Sequence, residues 1–139
     1  WSFYLKDGKP TYTYNWLGLQ QYTVAATQPA PAGKATIRFE FAYDGGGIGK
    51  GGMGTLFVNG KKVAAGRIER TQCCAFSADE GADVGADEGT PVTEAYKVPF
   101  TFTGKIAKVT IDLKEMKAAA ADEAEHAHRE AALKKGLSD

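Results

Sequence analysis

The densest collection of potential ligand atoms in the chain lies between residues 79 and 94, where Asp79, Glu80, Asp83, Asp87, Glu88 and Glu94 occur without a single Lys or Arg between residues 71 and 96. Calcium takes six to eight oxygen ligands, and carboxylates with backbone carbonyls in a tight loop supply them. Asp79, Asp83 and Asp87 recur every four residues with glycines between, so these three are the candidate Ca²⁺ ligands. The spacing is not that of an EF-hand, and the plainer reading is a solvated acidic loop that keeps a sheet edge soluble. A second set is aromatic: Tyr12, Tyr14 and Trp16 share one face of a strand. Such rings can stack on sugars, but they also make ordinary β cores, and core is the favoured reading. Asp44, which opens a glycine-rich loop, joins them as a candidate ligand-binding residue.

Other patterns lose their chemistry when tested against spacing. Gly47-x-Gly49-x-x-Gly52 has the dinucleotide spacing, but that motif must lead into a helix N-terminus facing a pyrophosphate. Here it leads into Thr55-Leu-Phe-Val58, which reads as a strand. A P-loop fails too, because Gly51 follows Lys50 where Ser or Thr is required. His126 and His128 stand two apart, so a helix would point them to different faces and they form no i,i+4 metal pair. Cys73 and Cys74 are the only cysteines. As strand neighbours they would point to opposite faces, so one is expected to pack inward, the other to face out, and no disulfide is expected. No nucleophile, base and orienting acid can be assembled, and no catalytic residue is assigned.

The elements that position these residues read as strands up to residue 113. Trp1, Phe3 and Leu5 alternate, Asp7-Gly8 turns, and Tyr12, Tyr14 and Trp16 alternate back; Tyr22 and Val24 mark a third strand. Thr36–Tyr43 puts Ile37, Phe39, Phe41 and Tyr43 on one face and Thr36, Arg38 and Glu40 on the other, which predicts a half-buried strand with one solvated side. Thr55–Val58 and Lys61–Ala65 flank Asn59-Gly60, a tight hairpin signal, and Gly66–Arg70 continues the returning strand. Val98, Phe100 and Phe102 alternate, as do Ala107, Val109, Ile111 and Leu113. Short strands separated by Gly, Pro, Asn and Asp predict an all-β, two-sheet antiparallel sandwich of jelly-roll type over residues 1–113. Residues 114–139 are rich in alanine and charge, with Glu125–Arg129 and Glu130–Lys134 at helical spacing, and predict an α-helical tail.

Composition narrows the function classes. Among 139 residues, 17 basic side chains balance 17 acidic ones, and no basic stripe of a nucleic-acid binder is present. No apolar run approaches a bilayer span. The first residues read as the inside of a strand, so the chain is expected to be a fragment or processed product.

Several stretches together resemble the C-terminal region of bacterial arylsulfatases: Trp1–Lys9, Phe39–Gly47, Gly51–Val63, Gly66–Arg70, Asp83–Val92 and Phe102–Ile106. More distantly, Leu56–Gly60 and Phe102–Ile106 resemble concanavalin/laminin-G-like domains. The resemblance implies a non-catalytic accessory domain tethered in cis to a sulfatase catalytic domain, and a periplasmic or secreted setting. It does not imply sulfatase activity here. The formylglycine motif Cys-x-Pro-x-Arg of that family is missing, since Cys73–Ser77 and Cys74–Ala78 lack both Pro and Arg. The alternative is a glycan-binding module, Ca²⁺-dependent if the acidic loop binds. Self-association through an open sheet edge or the helical tail is a further expectation.

Overall fold

The computed structural model describes residues 1–73 and 81–114. They form an all-β protein with eight strands in three antiparallel sheets and no helix among the described residues. The expected helix over 114–139 lies, beyond Lys114, outside the described residues.

The first sheet is a meander of β1 (Ser2–Lys6), β2 (Lys9–Trp16) and β3 (Gln20–Ala25). Its register pairs Phe3 with Tyr12 and Tyr12 with Val24. Asp7 and Gly8 close the first hairpin with φ of 51° and 73°, the left-handed pair that a tight turn between twisted strands requires. The second sheet, β4 (Ile37–Tyr43), β5 (Lys50–Val58) and β6 (Lys61–Arg70), is again a meander. Its tight turn is Asn59-Gly60, where the Asn59 Oδ1 accepts the Thr36 amide at 2.9 Å. The third sheet is a two-residue pairing of β7 (Ala86–Asp87) with β8 (Phe100–Thr101).

The first two sheets share a core cluster. Tyr12, Tyr14 and Tyr22 from the first meet Ile68 from the second, with Trp16 and Phe39 packed at the margin. Tyr12 stacks on Phe39 with centroids 3.6 Å apart and planes 8° from parallel. Glycines permit this approach: a Cβ at Gly54 would lie 2.7 Å from the Phe39 ring, and one at Gly66 would lie 2.9 Å from Val24. Leu56, toward the end of β5, is fully buried. Burying such a side chain contributes about 1.5–3 kcal/mol relative to leaving it exposed.

The opposite face of the first sheet is also covered. Asn15 donates to the Val92 carbonyl, Lys6 to the Ala95 carbonyl and the Ser2 hydroxyl to Tyr96 Oη. Tyr96 and Phe100 stack on each other at 4.4 Å and edge onto Tyr4. The run Pro10 to Tyr14 is therefore buried on both faces, although its sequence alternates tyrosine and threonine. Thr13 is satisfied there by Tyr4 and Thr23, whose hydroxyls each lie 3.2 Å from its own.

Three expectations are corrected. The first concerns β4. Ile37, Phe39, Phe41 and Tyr43 do share a face, but Phe41 and Tyr43 stay 37% exposed because the first sheet covers only the Ile37–Phe39 end. Next, Ala107–Leu113 forms no strand, and residues 105–114 are exposed throughout. A strand needs a hydrogen-bonded neighbour, and alternation alone does not supply one. Lastly, Cys73 is disulfide-bonded. β6 ends at Arg70, so strand alternation does not reach Cys73. Cys74, the one other cysteine in the chain, lies outside the described residues.

Candidate functional site

The most built surface feature is the glycine loop between β4 and β5. Gly45, Gly46, Gly47 and Gly49 all have positive φ, a conformation in which a Cβ would be strained. The loop is tied at each side. Asp44 N donates to Gly51 O at 3.0 Å. Tyr43 Oη donates to the Gly47 carbonyl and accepts from the Lys50 amide at 3.0 Å. Thr71 Oγ1 donates to the Lys50 carbonyl at 2.8 Å.

Asp44 sits at the root of this loop with its carboxylate gripped by Arg67. One Arg67 nitrogen donates to Asp44 Oδ1 at 2.8 Å and the other to Oδ2. The hydrogen bond from Arg67 holds the Asp44 carboxyl below the usual carboxylate range, and the paired carboxylate in turn raises Arg67. Such a fork-to-fork pair fixes geometry as well as charge. It joins the end of β4 to β6 across β5, and it engages both Asp44 oxygens within the fold.

The aromatic candidates go to the core. Tyr12 and Tyr14 are buried. Burial raises the Tyr12 phenol, with the neighbouring Tyr14 adding to it, and burial also raises Tyr14. Tyr14 Oη accepts the Gln72 amide at 2.7 Å. Trp16 is half-buried and lies under the Arg70 guanidinium at 4.9 Å. Neither Tyr12 nor Tyr14 offers a ring face to solvent, and Trp16 shares its ring with a cation.

The acidic candidates are not brought together. Asp79 lies outside the described residues. Asp87, on β7, accepts the Tyr96 hydroxyl at 2.6 Å, and Asp83 lies in the exposed segment before it. Among the described residues no three His, Cys, Asp or Glu side chains are grouped to hold a metal ion. Tyr96 is raised, by burial first and then by its bond to Asp87. A depression of about 270 Å³ on the covered side of the first sheet is lined by Tyr4, Lys6, Lys9, Thr11 and Thr23 among others. Its Lys6 ammonium already donates to Ala95 O at 2.7 Å.

At the turn between β2 and β3 glycine is the one turn-type residue, and the leucine beside it carries no such signal. The β2–β3 connection is left-handed at Leu17, with φ of 56°, and at Gly18. Leu19 N donates to Trp16 O at 3.0 Å, and Asn15 Oδ1 accepts the Gly18 amide. A leucine in the left-handed region is disfavoured, and here it places Leu17 and Leu19 at the tip with 54% and 76% of their surface exposed. Gly18 was the only hint in the sequence.

Among the described residues no helix is long and apolar enough to cross a membrane. Compared with models of known protein families, with curated proteins and with solved structures, the chain matches none.

Proposed function

We propose that this chain is a non-catalytic accessory domain that docks on a sulfatase-like catalytic domain. The observation that carries the non-catalytic part is the use to which the reactive-looking groups are put. Asp44 is held by Arg67, Asp87 by Tyr96, and Tyr43 by its own loop. They serve as ties between strands and loops. The link to a sulfatase rests on the ordered stretches from Trp1–Lys9 to Phe102–Ile106 that resemble that family's C-terminal region.

The two packed meanders belong, in this reading, to a jelly-roll-like sandwich. Its docking surface is the tip carrying Leu17 and Leu19. Exposed apolar residues on a constrained turn suit burial against a partner, whereas scattered single ones need no explanation.

The test uses an arylsulfatase catalytic domain lacking its own C-terminal region, mixed with the purified chain. Co-elution in size-exclusion chromatography is expected, and it is expected to be weakened by Leu17→Asn with Leu19→Ser. The chain alone is expected to release no nitrophenol from an aryl sulfate. Lack of any complex at concentrations of tens of micromolar, or aryl sulfate hydrolysis by the chain alone, would overturn the reading.

A glycan-binding reading is favoured by one observation. Phe41 and Tyr43 form a half-exposed aromatic pair, 6.2 Å apart, beside the glycine loop. Binding to a glycan array that is lost in Phe41→Ala would support it.

A further inference from the structure

Phe39 and Phe41 rest on glycine in the same way but are covered differently. A Cβ at Gly54 would lie 2.7 Å from the Phe39 ring, and one at Gly52 would lie 2.6 Å from the Phe41 ring. Tyr12 then stacks on Phe39 at 3.6 Å. Among the described residues no ring of the first sheet reaches Phe41, whose ring neighbour is Tyr43, 6.2 Å away and tilted by 56°. Phe41 and Tyr43 therefore stay 37% exposed. Tyr43 is fixed by its hydroxyl, which donates to the Gly47 carbonyl and accepts from the Lys50 amide. A platform held in this way needs little further ordering when a ligand arrives.

Charge is divided unequally between the two faces of the sheet at this end. The register sets Lys50 opposite Arg70 and Gly52 opposite Ile68. Ile68 belongs to the core, and residues two apart on a strand share a face. Lys50 and Arg70 thus lie on the same face as Ile68, Phe41 and Tyr43. The carboxylates of these strands and their ends, Glu40, Asp44 and Glu69, are bonded instead to Arg38 and Arg67 on the outer face. Among the described residues no carboxylate pairs with Lys50 or Arg70. The Arg70 guanidinium is held over the Trp16 ring at 4.9 Å. Like charges directly opposite each other across a ladder destabilise a sheet, and an anion set between them offsets that repulsion.

We propose that this end of the sheet binds an acidic sugar, a pyranose ring lying on Phe41 with its carboxylate or sulfate turned to Lys50 and Arg70. The proposal rests on the glycan-binding reading and narrows it to acidic glycans. An exposed aromatic face accepts the apolar C–H face of a sugar ring. Lys50 stands two residues beyond Gly52, about 7 Å along the strand, a separation that one sugar ring with a charged substituent spans. The guanidinium of Arg70 matches a carboxylate or sulfate with two parallel donors. The glycine loop borders the platform. At Gly45 and Gly46 a Cβ would meet nothing within 4 Å, so the backbone there is open to sugar hydroxyls.

The test is an NMR titration of the full chain with four probes: a galacturonic acid trimer, a sulfated galactan tetramer, a neutral galactan tetramer and tripolyphosphate. The acidic sugars are expected to shift the Phe41, Tyr43 and Lys50 amides and to bind at least about tenfold more tightly than the neutral one. The tighter of the two acidic probes identifies the preferred charged group. Lys50→Gln with Arg70→Gln is expected to bring the acidic sugars down to the neutral level. Phe41→Ala is expected to lose binding and Phe41→Tyr to keep it, with unshifted Leu56 and Ile68 amides reporting an intact fold. Equal binding of neutral and acidic sugars, lost in Phe41→Ala, would overturn this inference and leave the glycan-binding reading standing. No binding of any sugar at about 10 mM would overturn both. Tripolyphosphate binding as tightly as the acidic sugars, with all of them indifferent to Phe41→Ala, would reduce the site to its charge and overturn the proposal.

Discussion

Gly54 is where the contact between the two large sheets can be tested with one methyl group. Its φ is not in the left-handed region, so alanine there meets no backbone strain. It meets the Phe39 ring instead, with Cζ at 2.7 Å and Cε2 at 2.8 Å from the new Cβ. Carbon atoms rest at about 3.5–4.0 Å, so the ring must retreat by about 0.8 Å or more. It cannot retreat freely, because Tyr12 is stacked on it at 3.6 Å and Tyr12 is itself in the core. Overpacking of this kind costs about 1–3 kcal/mol. Gly54→Ala should lower stability by that amount in urea or thermal unfolding, with an unchanged urea m-value. Phe39→Leu alone should also destabilise, through lost stacking. The double variant Gly54→Ala with Phe39→Leu should be more stable than the sum of the two predicts, because the clash needs both partners. Strict additivity, or a Gly54→Ala protein as stable as the parent, would refute the claim that the Phe39 ring is pinned between the sheets.

Other outcomes follow from single groups. Leu17→Asn should raise stability by up to about 1 kcal/mol in chemical denaturation, because asparagine tolerates the left-handed backbone that costs leucine roughly that much. Asn59→Ala should lower stability by about 1–2 kcal/mol, since it leaves the Thr36 amide without its acceptor and puts alanine at positive φ. The Asp44–Arg67 pair should weaken in acid. The folded carboxyl is depressed, so its contribution is complete above the ordinary carboxylate range and lost as the pH falls through the folded value. An NMR titration of the Asp44 carboxyl should show a midpoint below that of an unpaired aspartate, and the shift should vanish in Arg67→Ala.

How much was legible in the sequence depended on whether the signal was local. The turns at Asp7-Gly8 and Asn59-Gly60 could be read because asparagine, aspartate and glycine tolerate the left-handed backbone that tight hairpins need. Leu17-Gly18 adopts the same conformation with a leucine in place of the Asx residue, which removes half of that signature. Tyr12 and Tyr14 could be assigned to a core from their alternation. The burial of Thr11 and Thr13 between them is not written in that alternation; it comes with the segment from Val92 to Phe100, folded over the second face of the sheet.

The sequence by itself determined the strand periods, the all-β class and the two Asx-Gly hairpins, because backbone sterics and side-chain alternation act between near neighbours. Tertiary structure decided which alternating segments became strands. β4 found β5, whereas Ala107–Leu113, patterned equally well, has no partner edge in the structure and is exposed. It also decided what the polar groups do: Asp44 meets Arg67, 23 residues away, and Asp87 meets Tyr96. Such pairings depend on how the chain brings distant positions together, and no residue spacing along the chain records them.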